Sequence, residues 1–235
     1  MSKKISDVLM QRNDISDFLV HLTKETEDGQ SAKDNLISIL NDMEIKAFNH
    51  HCYFSPRLHK EEQKIQNRFN VVCFTETPLD KIHLLTDISG RKVRLQPYGL
   101  VFPKISIEEA KGNPAFYVYN ENQLLLDYLN TQYHSFITAY KEDGEVNNFQ
   151  TLGSLVNIVR KGHDFHWERE WRVRKKFKFK INELFAIIAP EKEHNDIRNR
   201  VNLDDVEYFI FLDATWSMQT IIEKLSIYMW NELRG

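Results

Sequence analysis

The stretch 167–181 alternates more strictly than any other part of the chain, and that alternation limits what can be built around it. Odd positions Trp167, Trp171, Val173, Phe177, Phe179 and Ile181 carry most of its apolar side chains, and Lys175 breaks the pattern. Even positions His166, Glu168, Glu170, Arg172, Arg174, Lys176, Lys178 and Lys180 are all polar or charged. A period of two means a β-strand, or a hairpin bent from one, because successive side chains leave a strand on opposite faces. One face would meet a core and the other water or a ligand. Such a strand needs partner strands and a covering layer, so an all-helical chain is excluded.

Other segments fill in the expected partners. The apolar runs 18–22 and 71–75 read as strands, as do 98–102, 115–119, 185–189 and 206–212. Helices are expected from Ser31, which can cap a face of Leu36, Ile39, Leu40 and Met43, with Asp34 in the positive first turn. Further helices are expected from Thr77-Pro78-Leu79-Asp80 with Thr77 as cap, over 106–111, over 121–140 with Leu125, Tyr128, Leu129, Phe136 and Tyr140 inward, over 148–159 and over 215–233. The hydrophilic stretches 57–67, 141–148 and 191–200 read as surface insertions. No βαβ rhythm and no Gly/Ser/Pro-rich linker appear, so the expectation is one α+β domain over residues 1–235.

Composition narrows the class. Of 235 residues, 42% are apolar and 12% aromatic, enough for a continuous core and too many for a disordered chain. The 31 Lys+Arg against 34 Asp+Glu give a net charge of −3, which excludes a basic coat for nucleic acid but not a local basic stripe such as Arg174, Lys176, Lys178 and Lys180. Two cysteines, Cys52 and Cys73, suit reduced thiols rather than a disulfide scaffold. No apolar run approaches the roughly 18 residues of a membrane span, and the first residues lack a signal-like apolar stretch, so a cytoplasmic protein with no membrane association is expected.

Gly-rich phosphate loops, His-Glu-x-x-His, Cys-x-x-Cys and Gly-x-Ser-x-Gly are all missing from the sequence. Three features can carry chemistry. Strand period places Glu168 and Glu170 on one face with Arg172 next along it; paired carboxylates raise one pKa while the arginine lowers it. His21 and Thr23 mark the first strand and its end, and Phe74 and Thr75 the second strand. Each pattern also fits ordinary structure: a salt-bridged strand face, a core histidine, strand and cap hydroxyls.

Together, the His-bearing first strand, the following helix, the aromatic-plus-hydroxyl second strand and the late Glu168-x-Glu170 resemble the mono-ADP-ribosyltransferase fold, especially its DNA-modifying and tRNA-phosphate-processing branches. The resemblance implies a split β-sheet cleft with surrounding helices that binds NAD as substrate. His21, with Thr23 beside it, would contact a ribose of NAD. Phe74 and Thr75 would take the aromatic and hydroxyl positions of the middle strand, where this chain has Phe74-Thr75-Glu76 in place of Ser-Thr-Ser. Glu170 would be the invariant glutamate and Glu168 its partner. A second resemblance runs over about residues 71–174. Val72-Cys73-Phe74-Thr75-Glu76-Thr77-Pro78-Leu79, Tyr98-Gly99-Leu100-Val101-Phe102 with Lys104, Gly112-Asn113-Pro114-Ala115-Phe116-Tyr117-Val118 and Glu168-Arg169-Glu170-Trp171-Arg172-Val173 look like the AbiGi-type abortive phage infection proteins. That resemblance implies a role in phage resistance, where members of the family are generally described as the antitoxin half of a toxin–antitoxin pair.

The implied reaction is cleavage of the nicotinamide–ribose bond. Glu170 would stabilise the oxocarbenium-like centre, Glu168 would orient or deprotonate the acceptor, and Arg172 would hold the pyrophosphate or a nucleic-acid acceptor. Two other classes stay open. A metal-dependent nuclease would use Asp164 with Glu168 or Glu170, although Arg172 in the usual lysine position cannot act as a base. A non-enzymatic antitoxin or partner-binding module would dock through the C-terminal helix carrying Trp216, Tyr228 and Trp230.

Overall fold

A computed structural model describes residues 14–26, 28–86, 88, 94–144, 148–162, 164–203 and 209–232. They form a mixed α and β structure and group into two compact units, each assembled from separated pieces of chain. The first unit takes the described residues of Met1–Glu44, Phe74–Ser106 and Phe179–Gly235, and the second takes Ile45–Cys73 and Ile107–Lys178.

The first unit is organised around strand Phe18–Leu22, which pairs antiparallel with Gly99–Pro103 in the register His21 to Leu100. Strand Ala186–Ile188 lies antiparallel on the other side of Gly99–Pro103, and Phe211–Leu212 runs parallel to Ala186–Ile188. Thr75, ending strand Val71–Thr75, faces Val20. Close approach demands glycine at position 99, since a Cβ there would stand 2.5 Å from the His21 carbonyl oxygen. Helix Ala32–Asp42 starts as its sequence dictates: the Ser31 hydroxyl accepts from Asp34 N at 3.1 Å, and Leu36, Ile39 and Leu40 are buried. It stops at Met43 in the left-handed conformation (φ 49°). One core layer gathers Val20, Leu22, Ile82, Leu85, Val101, Ile188, Leu212 and Ile221. Polar ties join helix Ala32–Asp42 to helix His194–Arg200: Lys33 reaches Asp196 at 2.7 Å and Arg200 reaches Asp34 at 2.5 Å.

The second unit is built on an aromatic core. Helix Gln123–Asp143 buries Leu126, Leu129, Tyr133, Phe136 and Ile137 against Phe54, Phe69 and Val156. Tyr133 stacks on Phe54 with ring centroids 4.9 Å apart, and Phe136 meets Phe69 edge-on at 5.5 Å. Strand Phe116–Tyr119 runs parallel to Val156–Val159, and Asn113–Pro114 pairs antiparallel with strand Glu170–Arg174.

Several expectations are corrected. Residues 148–159 are not one helix: Phe149–Gly153 is a short one, and the β-branched run Val156–Val159 prefers a strand. Leu79–Leu85 is a 3-10 helix without a side-chain cap, because Pro78, which has no side-chain acceptor, holds the N-cap position in place of the expected Thr77, whose hydroxyl bonds that of Thr75 at 2.8 Å. Tyr128 is 58% exposed, since the buried stripe of its helix passes through Leu126 and Leu129 instead. The hydrophilic segments 57–67 and 191–200 are more than surface insertions, for Leu58, Ile65 and Ile197 are fully buried. Of the described part of the expected strand 206–212, residues 209–212, Phe211–Leu212 is a strand; residues 206–208 lie outside the described ones. Helix Met218–Glu232 is present, but the side chains of Tyr228 and Trp230 fall outside the described residues.

Candidate functional site

The alternation of 167–181 is interrupted twice. His166–Glu168 form a 3-10 turn, Arg169 sits in the left-handed region (φ 50°, ψ 53°), and the strand begins only at Glu170. Lys175, also left-handed (φ 69°), separates Glu170–Arg174 from strand Lys176–Lys178. A non-glycine residue with positive φ stores on the order of 1–2 kcal/mol, which the surrounding contacts must offset. The expected single face bearing Glu168 and Glu170 side by side is therefore not formed. Glu168 ends the turn as a buried carboxylate, and the Arg169 reversal lies between it and Glu170. Trp167, expected in the core, is 44% exposed.

Glu170 and Arg172, two residues apart on a true strand, do share a face. That face is dry rather than wet: the Arg172 side chain has no exposure and that of Glu170 has 14%. Arg172 Nε donates to Glu170 Oε1 at 3.0 Å and Nη2 to Oε2 at 2.8 Å, a two-pronged charge-assisted pair. Nη1 donates to the Ser154 carbonyl at 2.8 Å, so each nitrogen of the guanidinium makes a hydrogen bond. Tyr117 OH donates to Oε2 at 3.2 Å, and the Cys73 thiol also bonds the carboxylate. Four acceptor positions of one carboxylate are thus taken.

Electrostatics follow from this geometry. Burial pushes the Glu170 carboxyl upward, but the charge and hydrogen bonds of Arg172, the Cys73 thiol and His51 outweigh it, and its pKa is lowered. Burial and the Glu170 charge drive the Tyr117 phenol and the Cys73 thiol up, so both stay protonated and serve as donors. Burial alone would lower the Arg172 pKa, but Glu170, with the neighbouring Cys73 and Cys52, outweighs it and the pKa rises. Glu170 is therefore a buried carboxylate held ionised.

The first-unit candidates behave differently. His21 is half-buried, with its ring 5.8 Å from that of Phe74, and Phe74 in turn meets Phe102 at 6.1 Å. Thr23 is buried, its hydroxyl directed to the carbonyls of Ala32 (2.8 Å) and Tyr98 (3.2 Å), which ties the strand end to the start of the helix. Thr75 is buried and bonded to Thr77. Beside them Glu76 pairs with Lys104 at 2.8 Å, with side chains 9% and 20% exposed. Both residues belong to motifs quoted above, but sequence gave no reason to join them.

The chain matches no family model, no curated protein and no solved structure. Its site must stand on its own chemistry. Asp164 bonds His166 through both the ring Nδ1 and the backbone N, the latter at 3.1 Å. Among the described residues no three His, Cys, Asp or Glu side chains stand together as a metal site, and no helix is long and apolar enough to cross a membrane.

Sequence reasoning missed Tyr117 and Cys73 as partners of Glu170. The usable signal was strand alternation, which sets Cys73 opposite Val72 and Phe74 and sets Tyr117 opposite the buried Val118.

Proposed function

We propose that the chain is an ADP-ribosyltransferase-like protein of phage defence, which cleaves NAD at the nicotinamide–ribose bond and transfers the ADP-ribosyl group to a nucleic acid or protein. The observation that supports this reading is the desolvated carboxylate of Glu170, kept ionised by Arg172 and still slightly exposed. An anion in a water-poor setting is the group such a reaction needs. The C–N bond electrons leave with neutral nicotinamide, and positive charge develops on the ribose carbon. Arg172 acts on the carboxylate from behind rather than on a pyrophosphate, and holds its charge and orientation. A ribose hydroxyl would enter by displacing the Tyr117 hydroxyl, whose bond to Glu170 at 3.2 Å is longer than either bond from Arg172. Glu168 would take the acceptor's proton. The split-sheet cleft and the NAD contacts of His21, Phe74 and Thr75 belong to the same reading.

The complete satisfaction of Glu170 favours a second reading, in which the pair is an internal strut and the chain is the partner-binding half of a toxin–antitoxin pair. One experiment separates the two. The protein is incubated with labelled NAD and with protein, RNA and DNA acceptors, and products are read by mass spectrometry. Release of nicotinamide, lost about 10²–10³-fold in Glu170→Asp while circular dichroism stays native, supports the transferase. Intact NAD with every acceptor overturns it and leaves the strut.

A further inference from the structure

A cavity of about 370 Å³ opens in the second unit between Ala47, Phe48, Gln63, Asn67, Asn70 and Lys175, a size suited to a small polar ligand. Its wall is a chain of amides. Gln63 Nε2 donates to Asn67 Oδ1 at 2.7 Å, and Asn70 Nδ2 donates to that same oxygen and to the Ala47 carbonyl, both at 3.3 Å. This arrangement leaves Gln63 Oε1 as an acceptor and Asn67 Nδ2 as a donor, neither bonded among the described residues. Asn70 is only 7% exposed, yet its Oδ1 has no hydrogen bond among the described residues. An amide acceptor and donor one helical turn apart match the edge of a nucleobase, which presents the same two functions. Phe48 is 73% exposed at the rim, a flat apolar surface on which a base can stack. The frame is fixed by the backbone, since Lys175 N donates to Asn70 O at 3.0 Å and Ala47 N to Lys175 O at 2.9 Å.

The same two chain segments carry a second, independent feature. Arg174 donates Nη2 to the Arg68 carbonyl at 3.1 Å and Nη1 to the Thr151 hydroxyl at 2.8 Å, and neither arginine has a carboxylate partner among the described residues. The Nε of each is buried without a hydrogen bond among the described residues. Burial and the nearby Arg68 charge both disfavour the Arg174 cation. Lys64 and Arg68 also share the Tyr140 ring, at 5.8 and 5.1 Å. Like charges gathered without a counter-charge are costly unless an anion completes them, and arginine forks suit a phosphate.

We propose that Phe48, Gln63, Asn67, Asn70 and Lys175, with Arg68 and Arg174 beside them, bind a nucleotide within a single-stranded nucleic acid. Phe48 stacks the base, the amides read its edge, and the arginines hold backbone phosphate. This site is independent of the NAD reading, and its test uses no NAD. Fluorescence anisotropy with labelled 12-nucleotide RNA and DNA strands measures affinity, and unlabelled strand, duplex and nucleoside monophosphates compete. Saturable binding of either strand is expected, weakened about 5- to 100-fold by Phe48→Ala. Arg68→Gln should lower the slope of log affinity against log salt by about 0.7. Lys81→Ala, an exposed charge in the first unit, should change neither. Phe48→Ala is a surface change and should keep the wild-type melting temperature. The proposal is overturned if neither strand binds saturably, if Phe48→Ala binds as the wild type does, or if a monophosphate competes as well as the strand.

Discussion

Replacing Arg172 with methionine should reverse the pH dependence of stability. In the wild type the Glu170 carboxyl has a lowered pKa, so the pair's contribution is complete at neutral pH. It is lost only on acidification, as pH falls through the folded-state value below the ordinary carboxylate range. In Arg172→Met the guanidinium bonds to both carboxylate oxygens and to Ser154 O disappear, and burial of Glu170 is opposed only by the Tyr117 and Cys73 donors and by His51. Its pKa then rises above the unfolded value. Stability becomes greatest in acid and declines as pH climbs through the raised value, by at most about 1.4 kcal/mol per pH unit. Removing one member of a buried pair costs about 3–5 kcal/mol at neutral pH. Urea unfolding followed by tryptophan fluorescence from pH 4.5 to 8 reads both quantities. The double variant Glu170→Gln/Arg172→Met should regain much of the loss, because no charge is left stranded. A loss below about 1 kcal/mol at pH 7, or a slope of unchanged sign, would refute the reasoning.

Other outcomes follow from single contacts. Ser31→Ala removes the hydroxyl that accepts from Asp34 N and should cost about 1 kcal/mol in urea unfolding. Gly99→Ala sets a Cβ against the His21 carbonyl at 2.5 Å and should cost about 1–3 kcal/mol, read as a fall in melting temperature. Cys52 and Cys73, whose thiol pKa values are raised chiefly by burial, should resist iodoacetamide at pH 8 and react only once urea unfolds the protein, as counted by intact mass.

Much of the fold was legible because it depends on local rules. The strands at 18–22 and 71–75 follow from short apolar runs, and helix Ala32–Asp42 from a cap, an acidic first turn and a 3.6-residue stripe. The segment 166–178 was misread for a physical reason: Arg169 and Lys175 adopt left-handed backbone that their side chains do not advertise, and each reversal interrupts a strand that the alternation alone would carry on. Arg172 shows the complementary limit. A charged residue on a polar stripe reads as solvent-facing until Glu170 and Ser154, its partners on the same strand and far back along the chain, are in place. Glu170 itself was legible as a special carboxylate, whereas the donors from Tyr117 and Cys73 depend on which strands become neighbours, a property of topology rather than spacing.

The interleaved make-up of the two units has a consequence for synthesis on the ribosome. All pieces of the second unit have been translated once residue 178 is made, whereas the first unit still lacks the strands Ala186–Ile188 and Phe211–Leu212. At ordinary elongation rates the last of these strands appears roughly 2–7 s later. During that interval Gly99–Pro103, paired with Phe18–Leu22 on one side, presents an open edge on the other, the moment at which a nascent chain of this design most needs a chaperone.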